Sequence, residues 1–505
     1  MKLSLSERSI SPAYSAVYYL SLIIGGSTIG FMTCLAAGLQ LKWFTVYLMA
    51  FLLMLVFAVT KQRKNLALGL FIFFLPFFVT KKIFSSEFTM LVGGPSSLSI
   101  FLYDIPLAIL LCYFLSDKVF KRDSSLYIPA VLPPLLLYII WSGISVINAA
   151  RPILTFIEFV WLWRTAIILF LLVNIIKDRK DLILVITLLI AGLFLQEVIT
   201  FIQAYLKKWF TFTGDVAHTM LESTARPDTF RAGGTVGLHN VQASYYVLLL
   251  SLTTGIFFAN FKSRLKYILL FIILCGILSV ILTYSRNGYA SLSVSLAIVA
   301  ILAVRKKIIK IRYFILGTWL LIFIILMIIP LGGQNVINRI KSKAAIEPRI
   351  ETVKIAFRMV GKHPISGVGL NNFAIVMADK DFSPYGISDL QKAYLGGEYF
   401  RTVVHNKYLL VASETGTVGL IFFLWMHYII YSFSFKLLKS KDWFYWGIGA
   451  GMAAALTGAL IQMHFDIYNA DLLVAIFWAL VALTFSAYKI SLCEENNLSP
   501  SKTHL

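Results

Sequence analysis

The sequence predicts an all-α polytopic membrane protein of about fourteen transmembrane helices with one large external loop, and three observations predict it. Apolar residues dominate: of 505 residues, 59% are hydrophobic and only 14% charged, with a mean hydropathy of +0.82. So few charges do not cover a soluble protein of this length, whereas lipid needs an apolar surface. Apolar runs long enough to span a bilayer recur along the whole chain. Lysine and arginine also alternate between one set of short loops and the other, and this alternation fixes the orientation.

The runs fall near 14–38, 42–60, 65–80, 98–116, 127–148, 153–176, 182–203, 240–260, 267–283, 288–304, 313–330, 407–435, 443–463 and 471–488. The first reads as a retained span, because no small-residue cleavage site follows it and a second span comes at once. One alternate set of loops holds Lys61, Arg63 and Lys64, then Lys118, Lys121 and Arg122, then Lys177, Arg179 and Lys180. It continues with Lys262, Arg264 and Lys266, the 305–312 cluster, and Lys436, Lys439 and Lys441. The short loops of the other set hold only Lys42, Arg151 and Arg286. Basic residues stay inside, so both termini and the 489–505 tail are expected in the cytoplasm. The formal charge of +21 is thereby a topology signal and implies no nucleic-acid partner. The chain divides into helices 1–11 over 1–330, the external loop 331–406, and helices 12–14 over 407–488. A further external loop covers 204–239.

Chemistry is sought where polar groups gather on the outer side. Arg226 to Asn240 includes Arg231, Gly233, Gly234 and Gly237 and leads into a span. Glycines permit close backbone approach, and open amides beside arginine suit an anion such as phosphate; a plain Gly-rich turn with interfacial arginines is the alternative. Tyr284-Ser285-Arg286-Asn287-Gly288 is a tight outer turn whose only charge is Arg286, which either snorkels or binds. In the large loop, 335–361 reads as an amphipathic surface helix with Ile350, Val353, Phe357 and Val360 on its apolar side, broken in two at Pro348. The loop closes on Glu398, Arg401, His405 and Asn406. His405, at the membrane boundary, is a candidate general base, although a lone histidine is more often structural. Within the bilayer, Glu158 and Arg164 leave catalytic, transport and structural roles open. Asp104, Asp466 and Asp471 are weaker candidates. Cys34, Cys112, Cys275 and Cys493 have neither disulfide nor metal spacing, and no phosphate-binding loop or His/Cys metal cluster occurs.

Four segments resemble the O-antigen ligase and polysaccharide polymerase superfamily. They are Arg231 to Asn240, Ser285-Arg286-Asn287-Gly288, Arg349 to Phe373, and Val404-His405-Asn406-Lys407-Tyr408-Leu409 with Glu414-Thr415-Gly416 and Gly419. Two positions depart from the usual pattern: Leu238-His239 precedes Asn240, and Asn287 follows the Ser-Arg pair. The resemblance implies a GT-C-like, cofactor-free and metal-independent inverting glycosyltransferase of the bacterial cytoplasmic membrane. The implied donor is an undecaprenyl-pyrophosphate-linked glycan, and the acceptor another glycan or lipid A core. Membrane lipids and a chain-length regulator are the other implied partners. Arg231 and Arg286 would bind the pyrophosphate, and His405 would activate the acceptor. Arg226, Asn240, Arg349, Asn372, Arg401, Asn406 and Glu414 would contact substrate. Polymerisation of repeat units is the first expectation, ligation to lipid A core the second, and transport of a lipid-linked glycan the third.

Overall fold

A computed structural model describes residues 26, 56, 59–60, 62–86, 93–120, 126–209, 230–260, 263–312, 347–377, 379, 381–382 and 403–497. The chain divides into two compact units, Met1–Leu70 and Phe71–Leu505. Helix α1 (Arg63–Phe74) crosses from one to the other. The second unit contains a β-hairpin, β1 (Thr80–Ser85) and β2 (Ser97–Phe101), and the helices α2 (Asp104–Phe120), α3 (Leu132–Ile144), α4 (Pro152–Ile175), α5 (Arg179–Leu206), α6 (His239–Ala259), α7 (Leu265–Leu282) and α8 (Arg286–Arg305). After them come α9 (Glu347–Lys362), the short α10 (Phe373–Val376), α11 (Lys407–Leu437), α12 (Trp443–Phe465) and α13 (Asp471–Asn497).

Among the described residues, eight helices are long and apolar enough to cross a membrane: α4 to α8 and α11 to α13. The protein is a helical, multi-pass membrane protein. The expected spans near 14–38, 42–60 and 313–330 lie almost wholly outside the described residues. Three others take a different form. The run at 65–80 is α1, which stops at Phe74 just before Pro76, followed by the start of β1. The run at 98–116 is β2 followed by α2, and 127–148 is α3 with a 3₁₀ turn at Ser145–Asn148. Apolar length alone does not distinguish a span from these shorter pieces. The hairpin also departs from an all-α fold. Its strands are antiparallel, Thr80 opposite Phe101 and Ser85 opposite Ser97, with an irregularity between Lys82 and Phe84.

The core centres on α12, which packs against α6, α8 and α11. Small residues bring the backbones together: a Cβ on Gly255 of α6 would lie 2.2 Å from the Gly447 oxygen of α12. Helices in lipid gain association from this close packing, since lipid is as apolar as leucine. At one end of the bundle, Arg179 pairs with Asp442 and Glu494, Lys489 Nζ donates to the Val173 and Ile176 carbonyls, and Lys306 Nζ donates to the Ser440 carbonyl. Arg231, Arg286 and His405 lie at the opposite end of these helices.

α11, expected as one straight span, is a folded-back pair. Gly416 has φ 73° and ψ −177°, a conformation open essentially to glycine alone. The rings of Tyr408 and Phe423 are 6.1 Å apart, whereas a straight helix would separate these residues by about 22 Å. The fold-back leaves terminal carbonyls and amides that need partners. Val368 N donates to Ser413 O, Gly369 N to Glu414 O, and Trp141 Nε1 to Thr415 O, while Thr417 N donates to Pro364 O. The turn after α9 is thus pinned to the fold.

The described part of α9 has Pro348 in its first turn, where its missing N–H costs nothing; the 335–346 part of the expected helix lies outside the described residues. The buried row is Thr352, Ile355, Ala356 and Met359, packed with Val368, Phe373, Val404 and Leu410, whereas Ile350 and Phe357 are exposed. Ile350 and Phe357 are left on an exposed side that is available to a membrane surface.

Gly416→Ala should prevent the fold-back. The added Cβ would lie 2.0 Å from Ile365 O, and the backbone strain alone costs about 1–3 kcal/mol. Thermal unfolding of the detergent-purified protein should show a large drop in melting temperature or no folded fraction.

Candidate active site

Two clusters form at the Arg286 end of the bundle. In the first, Arg231 crosses from the Gly-rich segment to the turn between α7 and α8. Its Nε donates to Thr283 O at 3.0 Å, and Nη2 donates to Tyr284 O and Asn240 Oδ1, both at 3.2 Å. Tyr284 holds φ 51°, a left-handed conformation that is strained for a bulky residue, and it turns its carbonyl toward Arg231. Ser285 caps α8 by accepting from Gly288 N. Arg286, the first residue of α8, is exposed and has no hydrogen-bond or ion-pair partner among the described residues. Arg231 thus braces the turn, and Arg286 projects from it.

Three successive amides of the Gly-rich segment are already taken. Gly233 N and Gly234 N both donate to Gln203 Oε1, and Thr235 N donates to Gln196 Oε1. Gln203 Nε2 donates to Gly234 O, and Gln196 Nε2 donates to Thr235 Oγ1. Two glutamines of α5 therefore occupy the amides of 233–235, whereas the first turn of α6 has no side-chain cap.

The second cluster surrounds His405. Its Nδ1 lies 3.7 Å from Asp466 Oδ1, beyond a direct hydrogen bond. Ile467 N donates to Asp466 Oδ1 and fixes that carboxylate. Asn406 caps α11 by accepting from Leu409 N, and its Nδ2 donates to His464 O.

Both clusters hang on the last turns of α12. Asn287, next to Arg286, donates from Nδ2 to Gln462 O at 3.2 Å; Asn406, next to His405, donates to His464 O, also at 3.2 Å. Those carbonyls belong to the final turn, which has no intrahelical donors. The two anchor points are two residues apart, about 3 Å along the helix. The helix end also carries about half a negative charge, which favours cations placed near it.

The other expected contact residues divide by role. Arg349 is exposed on α9. Asn372 is fully buried and locks a turn: Arg151 N donates to its Oδ1, while its Nδ2 donates to Thr155 Oγ1 and Leu370 O. Glu414 is buried beside the fold-back and accepts from Phe373 N. Arg226 and Arg401 lie outside the described residues. Arg164 is paired: it meets Asp104 at 3.3 Å, donates to Ser99 O at 2.8 Å, and stands 4.4 Å from the Trp161 ring. That answers its cost in a bilayer.

Sequence reasoning missed Gln196 and Gln203. The signal was present, since Gln196, Thr200 and Gln203 lie at helical spacing on one face of an otherwise apolar span. It also missed Lys407, His427, Tyr468 and Asn469, which line a separate cavity.

Residues 268–424 match the family model described as O-Antigen ligase. The chain carries an O-antigen ligase domain. The domain runs from α7 through the Arg286 turn, α9 and His405 to beyond the Gly416 fold-back. It therefore contains Arg286 and His405, while Arg231 and Asp466 join from outside it. No curated protein matches the chain. The family match and the apolar helices support a membrane protein of polysaccharide biosynthesis that is similar, over 268–424, to the O-antigen ligase family.

Gln203→Leu should leave Gly233 N and Gly234 N without acceptors, at a cost of about 1–3 kcal/mol per buried group. Hydrogen exchange should rise across 230–238 in this variant and stay unchanged in α12.

Proposed function

We propose that this protein is a polymerase: a metal-independent, inverting glycosyltransferase that joins undecaprenyl-pyrophosphate-linked repeat units into a surface polysaccharide. In this reading the active site faces away from the cytoplasm, both termini are cytoplasmic, and about fourteen spans cross the bacterial inner membrane. The observation that carries it is the pairing at the end of α12. An exposed arginine without a described partner and a carboxylate-backed histidine are tethered two residues apart on one helix terminus.

The chemistry follows from these groups. Outside the cytoplasm there is no ATP, so the donor must bring its own leaving group. His405 takes the proton of the acceptor hydroxyl, and the oxygen attacks the anomeric carbon from the face opposite the diphosphate. The bond from that carbon to oxygen breaks, and its electron pair leaves with the lipid diphosphate. The Arg286 guanidinium meets that growing charge, and Arg231 holds the turn that aims it. Asp466 stabilises the protonated His405 formed on the way. A fixed cationic donor of this kind contributes about 2.7–4 kcal/mol, by analogy with oxyanion-hole donors, and a positioned base about 10²–10⁴-fold.

The test uses the purified protein with undecaprenyl-pyrophosphate-linked repeat units in the presence of a metal chelator. Ladder products on a gel are the expected result. Arg286→Ala should lower the rate by about 10²–10³-fold, and His405→Ala by about 10²–10⁴-fold, with both proteins folded. Transfer only to lipid A core would favour a ligase, and lipid movement without any transfer would favour a transporter.

A further inference from the structure

Between α4, α11 and α13 lies a cavity of about 110 Å³, separate from the arginine site: neither Arg231, Arg286 nor His405 lines it. Glu158, Tyr468 and His427 do, and each is more than nine-tenths buried. Each also leaves one polar atom without a hydrogen-bond partner among the described residues: Glu158 Oε2, Tyr468 Oη and His427 Nε2. Buried polar atoms are almost always paired, so unpaired ones around a single space indicate that something in that space pairs them. Tyr468 in addition holds φ 52°, a strained conformation that persists where the surroundings enforce it, often at ligand sites.

The unpaired atoms define what fits. His427 Nδ1 lies 2.7 Å from Phe423 O, and a carbonyl only accepts, so Nδ1 carries the hydrogen and Nε2 presents a lone pair. A carboxylate oxygen also accepts. These two atoms call for hydroxyl or amine donors, which an ionised phosphate lacks. Lys407, bonded to Asn469 Oδ1, supplies a donor. Both cations of the described lining are already engaged, Arg164 with Asp104 and Lys407 with Asn469, which disfavours an acidic ligand. The Trp161 ring offers an apolar face. The volume holds about four waters or the inserted edge of one pyranose.

We propose that this cavity is a subsite for the hydroxyl-bearing edge of an uncharged sugar ring of the substrate, distinct from the diphosphate site. The proposal rests on the glycosyltransferase reading above. The ring belongs either to the lipid-linked donor or to the acceptor glycan, and kinetics separate the two. Tyr468→Phe removes only the unpaired hydroxyl and keeps the ring. In nanodiscs, its transfer rate would be measured with lipid-linked glycan extracted from producing cells as donor and the same glycan released by mild acid as acceptor. The KM for one substrate should rise about 5–10-fold, with kcat and melting temperature unchanged. A rise for the lipid-linked glycan assigns the ring to the donor, and a rise for the released glycan assigns it to the acceptor. Unchanged KM for both, or a loss of kcat or melting temperature at unchanged KM, overturns the subsite while wild-type transfer keeps the enzymatic reading intact. Wild-type protein that transfers nothing overturns both.

Discussion

The site depends on the unpaired carbonyls at the end of α12. A helix terminus inside a membrane protein must find donors for its last carbonyls, because lipid supplies none. Here Asn287 and Asn406 provide them, donating to Gln462 and His464, while Tyr408 bonds Leu460 O one turn earlier. Asn287 and Asn406 are sequence neighbours of the residues proposed to act, Arg286 and His405. Satisfying the backbone and assembling the site are therefore one event. Segments more than a hundred residues apart in the chain are brought together by the same helix end.

The second constraint is the fold-back at Gly416. It returns α11 on itself, brings Tyr408 against Phe423 and Leu460, and exposes carbonyls that capture the 367–369 turn. α9 and its turn are held by this arrangement, with Asn372 clamping them to the start of α4. The part of the large loop that is described is thus docked through buried polar bonds and the apolar cluster around Ile355, Phe373 and Val404. Directed bonds of this sort fix geometry better than apolar packing alone, as a site that aligns two substrates requires.

Much of the fold class was legible in the sequence because lipid imposes a simple rule: apolar runs of spanning length, with basic loops between them. Composition and run length recovered α4 to α8 and α12 within a few residues, and the start of α13, which runs nine residues further than expected. The rule failed where apolar runs do something else. β2 and α2 share one run, α3 gives way to a 3₁₀ turn, and α11 bends at a glycine that a hydropathy window passes over. The candidate site was legible as residue types in a familiar order, including Arg231, Arg286 and His405. Its wiring was not: nothing in the sequence reveals that Gln203 occupies the glycine amides, that Asn287 and Asn406 reach the same helix end, or that Tyr468 carries an unpaired hydroxyl. These are long-range pairings, and pattern along the chain does not encode them.

In the proposed mechanism a lipid diphosphate binds where Arg286 projects beside the end of α12. A cryo-electron microscopy map of the full chain in nanodiscs with undecaprenyl diphosphate tests it most directly. The account predicts diphosphate density within hydrogen-bond reach of Arg286, on the side facing His405, with the isoprenoid running down between helices. Diphosphate density at the Arg179–Asp442 end of the bundle, or separated from Arg286 by packed protein, would contradict it.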